Sequence, residues 1–181
     1  MNIHDVRARY TRKVIREEFL KLLNTKPVAK ISVTELCNAC SINRTTFYKH
    51  YEDIYALLHE IEDEMINHLK EISEEAEQGD LEDMFTHIFT GAKQYGMEWL
   101  VMFSENGDPS LIPRFRGFMH DRFYDQFMEI PMPVSDEVKS YTYDFMMGGT
   151  TAIISSWIRS GMKDDPEEMA KICAGFIRSL V

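Results

Sequence analysis

The 181-residue chain has little cysteine: Cys37, Cys40 and Cys173 are the whole set. So small and odd a number implies no disulfide framework. Long apolar runs are missing as well. No uncharged stretch reaches the roughly 18 residues needed to span a membrane, and the polar start Met1-Asn2-Ile3-His4-Asp5 does not read as a secretory leader. A cytoplasmic protein with no membrane partner is therefore expected. Sustained period-two alternation with β-branched residues is absent, which argues against a sheet-built fold. There is no glycine-rich phosphate loop, and His87 and His120 have no His-Asp-Ser set around them. No enzyme, no cofactor and no metal are expected.

What is present is an ordinary globular composition, 44% apolar and 28% charged. A net charge of −10 taken alone argues against nucleic acid, but the charge is unevenly placed. Residues 1–51 carry ten Lys and Arg against four Asp and Glu, a net +6, whereas residues 52–181 carry ten against 26, a net −16. A basic head on an acidic body seeks phosphates with one end only.

Helical periodicity dominates and predicts an all-α fold of about nine helices. The first covers about 6–24, with Ile15, Phe19, Leu22 and Leu23 on one stripe, and ends at Lys26-Pro27. Ser32-Val33-Thr34-Glu35 has capping-box spacing and opens a short helix to about residue 40. Asn43 caps the next, about 44–50. A long helix over about 53–78 repeats Ile54, Leu58, Ile61, Met65, Leu69 and Ile72, and Gly79 stops it. Helices follow over about 80–95, 97–104 and 109–130, where Pro113 kinks the first turn or marks the true start. Ser135 caps a helix to about 160, Gly161 stops it, and Asp165-Pro166 opens the last.

Three short helices in about 45 residues, the second and third joined by a tight turn, form a helix-turn-helix. In its third helix Phe47 points inward with Ile42 and Leu36. Arg44, Thr45, Thr46, Tyr48, Lys49 and His50 then face outward, and such hydroxyls and cations can bond base edges and phosphates in a major groove.

The run Leu36-Cys37-Asn38-Ala39-Cys40-Ser41-Ile42-Asn43-Arg44-Thr45-Thr46-Phe47-Tyr48-Lys49-His50-Tyr51 resembles the signature of the tetracycline-repressor (TetR/AcrR) family. The body resembles the C-terminal domain common in such regulators of low-GC Gram-positive bacteria, at Ser104-Glu105-Asn106-Gly107-Asp108-Pro109 and at Gly161-Met162-Lys163-Asp164-Asp165-Pro166-Glu167-Glu168-Met169. The resemblance implies a DNA-binding head over 1–51 and a regulatory, dimerising body over 52–181. It implies contacts to a double-stranded operator from Thr45, Thr46, Tyr48, Lys49, His50 and Arg44, with Ser32 and Thr34 presenting hydroxyl and N–H groups to phosphate. It also implies a homodimer on a palindromic site, released by a small-molecule effector, and repression as the outcome. Two positions depart from the family: Ser41 stands where glycine is common, and Glu52-Asp53-Ile54-Tyr55 replaces a frequent lysine. That acidic pair favours a second reading, a coregulator acting through a protein partner with weak DNA affinity.

Elsewhere, Cys37-x-x-Cys40 has metal or redox spacing without a second pair to complete it, and reads as small core residues. The acidic clusters Glu60-Glu62-Asp63-Glu64 and Glu74-Glu75-Glu77 read as solvated helix faces. All 11 non-initiator methionines and 16 of the 21 aromatics lie after residue 51. Phe85, Phe89, Trp99, Phe103, Phe123, Met146 and Met147 are candidates for an effector pocket, with Tyr124, Tyr143 and His87 as polar handles. The last two helices each carry more apolar surface than one core needs, so Gly148, Gly149, Ile153, Trp157, Ile172, Phe176 and Leu180 are the candidate dimer interface.

Overall fold

A computed structural model describes residues 3–75, 80–96, 98, 99, 106, 108 and 110–180. Among them are eight α-helices, one short 3-10 turn and no strand. The expected helix over 97–104 and the Gly79 stop lie outside the described residues, Glu98 and Trp99 apart.

The head begins with α1 (Ile3–Leu23), which buries Ile15, Phe19 and Leu23 at four-residue steps. After Pro27 and the 3-10 turn Val28–Lys30 comes α2 (Val33–Ala39). Ser32 caps it, its Oγ accepting from the Glu35 N–H at 3.2 Å. The reciprocal half of the expected capping box is not made, because the Glu35 carboxylate takes Lys26 Nζ at 2.5 and 2.6 Å. Ser41, in the turn, has φ of 54°, the left-handed region that costs a side-chain-bearing residue roughly 1–2 kcal/mol. Asn43 then caps α3 (Arg44–Tyr48), accepting from the Thr46 N–H at 2.7 Å.

Asp53 opens the long α4 (Ile54–Glu75), its Oδ1 accepting from the Ala56 N–H at 2.8 Å. Next comes α5 (Leu81–Gln94), with a reciprocal capping box between Asp80 and Asp83. In α6 (Leu111–Glu129) Pro113 lies in the first turn, where an N–H has no helical acceptor, and the helix runs through it. Ser135 caps α7 (Asp136–Arg159), which ends at Gly161 with φ of 88°. Asp165 caps α8 (Pro166–Arg178), with proline at its first turn.

Helix α5 packs chiefly along α8, α4 against α5, and α6 against α7. One apolar core continues from Ile15 and Phe47 in the head, through Leu57, Leu58 and Ile61 of α4, to Trp157 and Ile177 in the body. α4 is thus the element common to both ends. No helix among the described residues is long and apolar enough to cross a membrane.

Candidate nucleic-acid interface and body cavity

Five residues are too few for a self-supporting helix, so α3 is held by what it packs against. Phe47 does this: it is 0% exposed, with the Tyr51 ring 5.8 Å away and the Tyr48 ring edge-on at 5.6 Å. Burying Phe47 turns Arg44, Thr45, Tyr48 and Lys49 to the outside, all four exposed, with Thr46 and His50 half-buried. Arg44 lies over the Tyr48 ring at 5.9 Å and reaches its hydroxyl at 3.4 Å, which gathers both on one side of the helix. The Thr46 hydroxyl donates to Asn43 Oδ1 at 2.9 Å and so serves the cap. Thr45 is the freer of the two threonines. Ser32 and Thr34 are exposed at the start of α2. Burial, then Arg12 and Lys49, pull the His50 imidazole below its ordinary range, and Glu60 opposes them weakly.

Behind this face the acidic stretch of α4 is only in part the solvated surface expected from the sequence: Asp63 and Glu64 are exposed, whereas Glu60 is half-buried and Glu62 buried. Glu60 takes the Arg12 guanidinium and the Tyr51 hydroxyl, the latter donating at 2.9 Å, while Arg12 lies 5.6 Å over the Tyr51 ring. One turn on, Arg16 bridges Glu64 and Glu98, the latter at 3.4 Å. Arg12 and Arg16 on α1 thus match Glu60 and Glu64 on α4, four residues apart on each helix. That shared spacing is the signal by which the pairing was findable. Glu62 is buried and Asp63 binds Arg114 at 2.5 Å.

Cys37 and Cys40 are buried free thiols. Burial raises the Cys37 thiol and pushes that of Cys40 up to about 11, so neither is a ready thiolate.

In the body, α5, α6, α7 and α8 enclose a cavity of about 230 Å³. Of the sequence candidates, Phe85, Phe123, Tyr143, Met146 and Met147 line it. Phe89 does not: it packs edge-on against Trp157 at 5.0 Å. Trp99 lies in a smaller cleft with Arg16 and Met65, and Tyr124 stacks on His120 at 4.2 Å. His87 is exposed and does not line the cavity, and Phe103 falls outside the described residues. Among the described residues the wall includes no charged side chain, and its polar members are Tyr143, Gln126, Thr150 and Thr151. Two of these are engaged already, the Tyr143 hydroxyl with the Met119 carbonyl at 2.9 Å and that of Thr151 with Met147 at 2.7 Å. Of the α6 wall only Phe123 stood out in the sequence; Phe115, Met119 and Phe127 did not, because a helix with charges on most faces hides its inward stripe.

Along α7 and α8 runs an exposed apolar face. Phe145 is 69% and Phe176 57% exposed, Ile172 and Leu180 are exposed too, and no described residue comes within 4 Å of the open side of Gly148 or Gly149. Ile153 is half-buried at its edge. Trp157 does not belong to this face: it is 2% exposed, with its indole N–H bonded to the Asp164 carbonyl at 3.2 Å.

A helix-turn-helix with an outward third helix, set on a helical body with an apolar cavity, is the build of a one-component transcription regulator. Residues 79–179 match the family model TetR_C_8, described as a transcriptional regulator C-terminal region. That is more than half of the chain, which belongs to the tetracycline-repressor family of transcriptional regulators. The fold is similar to that of a TetR regulator from Streptococcus agalactiae 2603V, with a TM-score of 0.69, 21% identity, and 97% of each chain covered. NalD of Pseudomonas aeruginosa, the secondary repressor of the MexAB-OprM multidrug efflux pump, has a TM-score of 0.67 at 13% identity, covering 94% of this chain and 95% of its own. FadR of Bacillus subtilis, in complex with stearoyl-CoA, has a TM-score of 0.62 at 10% identity, covering 93% and 98%. Among curated protein sequences none matches.

Proposed function

We propose that this regulator is a cytoplasmic homodimeric repressor that binds a palindromic operator through α3 and is released by a small, uncharged, largely apolar molecule in the body cavity. The observation that carries the reading is the outward face of α3, where Arg44, Thr45, Tyr48 and Lys49 stand exposed around the buried Phe47. The chain divides into a DNA-binding head over 1–51 and a regulatory body over 52–181. Phe145, Gly149, Ile172, Phe176 and Leu180 form the dimer surface, with Gly148 and Ile153 beside them. Trp157, used inside the subunit, is left out.

A two-fold dimer places two recognition helices on successive major-groove faces. Filling a cavity bounded by α5 to α8 moves these helices against α4, and the Arg12–Glu60 and Arg16–Glu64 pairs pass that movement to α1. Ligand and operator then compete through the spacing of the two heads. The apolar and uncharged character of the described cavity wall favours a neutral effector.

Selection of full-length protein on a random duplex pool tests this. An enriched two-fold symmetric site is the expected outcome, and loss of enrichment in a Tyr48→Ala, Lys49→Ala double variant ties it to α3. Failure to enrich any duplex overturns the reading. The second reading, a coregulator with weak DNA affinity, drew on Glu52-Asp53. Asp53 has a local role as the cap of α4, which weakens that support. A gel shift set beside a pull-down separates the two.

A further inference from the structure

Glu62 of α4 is the one buried carboxylate among the described residues, at 1% exposure. Its Oε2 faces His59 Nδ1 at 3.2 Å and Arg114 Nη1 at 3.3 Å. Among the described residues no donor reaches its Oε1. Arg114 gives its short bond to Asp63 instead, at 2.5 Å. A buried carboxylate with one long ionic contact and one orphaned oxygen is under-neutralised, and such groups are met in proteins as partners of cations.

Asp108, in the connection that leads into α6, completes the cluster. One ligand atom from each of His59, Glu62 and Asp108 lies within 4.8 Å of the others. The geometry points to a binding site for a divalent first-row transition ion of the zinc class, held by the His59 imidazole and the Glu62 and Asp108 carboxylates. His59 and Glu62 share one face of α4 at i and i+3, the spacing by which helices commonly present two ligands to one ion. One nitrogen and two oxygens suit zinc or its neighbours, whereas calcium and magnesium favour all-oxygen shells. Ligands bonded at about 2.0–2.2 Å in a tetrahedron stand roughly 3.4 Å apart, so the cluster closes inward on binding. The half-exposed His59 side chain is free to make that movement.

A bound ion braces α4 against the connection before α6. Two residues earlier in that connection, the Asn106 carbonyl accepts from the Val28 N–H of the head at 2.9 Å. The site therefore sits where head and body meet, outside the apolar cavity.

The test uses full-length protein stripped with chelator and titrated with Zn²⁺ by calorimetry, with Mg²⁺ alongside. One Zn²⁺ per chain is expected, at a Kd of about 10 μM or tighter, with a raised melting temperature. His59→Ala and Asp108→Asn, both outside the core, are expected to weaken binding by about tenfold or more while keeping the far-ultraviolet spectrum. A Cys37→Ser, Cys40→Ser variant is expected to bind as the parent does. The proposal is overturned by no saturable Zn²⁺ binding, by Mg²⁺ binding as tight as Zn²⁺, by binding that His59→Ala leaves intact, or by binding that the cysteine substitutions abolish. No DNA enters this measurement, so its failure leaves the regulator reading untouched.

Discussion

Replacing Phe47 with alanine removes the ring on which α3 rests. The side chain is fully buried and packs against Tyr51. Truncation of a buried phenylalanine costs about 3–5 kcal/mol, the lost transfer energy plus the cavity left behind. Helix α3 has nothing to offset this, since isolated helices shorter than about 12–15 residues are marginal in water. Against the roughly 5–15 kcal/mol that holds a domain together, the head loses much of its margin. Phe47→Leu keeps most of the apolar contact and is expected to cost about 1.5 kcal/mol or less. Urea unfolding read by far-ultraviolet circular dichroism measures the loss. Trp99 shares a cleft with Arg16 of the head, whereas Trp157 packs on Phe89 inside the body, so fluorescence read in a Trp99→Phe background reports the body. The alanine variant should lower the dichroism midpoint more than the fluorescence midpoint and abolish operator binding, and the leucine variant should do neither to a large degree. A Phe47→Ala protein that unfolds at the parental urea concentration and still binds operator would refute the placement of α3.

The other predictions concern the two surfaces. Lys49→Ala should weaken binding about equally for all duplexes and lower the slope of log affinity against log salt by about 1, as measured by fluorescence anisotropy. Thr45→Ala should change which bases are preferred, by about 1–3 kcal/mol at one position, in a selection experiment; an unchanged site would remove Thr45 from the groove. The free protein holds His50 below its ordinary 6.5, chiefly by burial and then by Arg12 and Lys49. Nearby phosphates raise it, so the complex binds more protons than the free protein and affinity should increase as pH falls from 7 through that window, by at most about tenfold per unit. His50→Asn should flatten this dependence, and a parental protein already flat there would count against His50 beside phosphate. Phe176→Glu should give monomers in light scattering without lowering the monomer's thermal stability, because the ring is exposed in the subunit.

Local chemistry made most of the helices legible. Asn43, Asp80, Ser135 and Asp165 act as caps through hydrogen bonds to the next few residues, and Pro27 and Gly161 end helices through their own backbone preferences. The outward face of α3 was legible for a similar reason, since one aromatic among polar neighbours has only one way to turn. Trp157 was not: on a helix that is apolar nearly all round, composition gives no direction, and only packing against Phe89 and Asp164 assigns it inward. Glu60 and Glu62 were not legible as paired because their partners Arg12 and Arg114 lie some fifty residues away on α1 and α6. Ser41 was visible as a departure from glycine, and its left-handed φ supplies the physical reason that glycine suits the position.

Arg12 and Arg16 account for two of the cations that make the head basic, yet both are committed to carboxylates of α4 and its surroundings. The charge left for the operator is smaller than a count of residues suggests. Ions in the medium therefore act twice: they compete for the phosphates and they loosen the struts between the first and fourth helices. If the proposed effector acts through these struts, the regulator should lose part of that response, along with its grip on DNA, as the cell's ionic strength climbs.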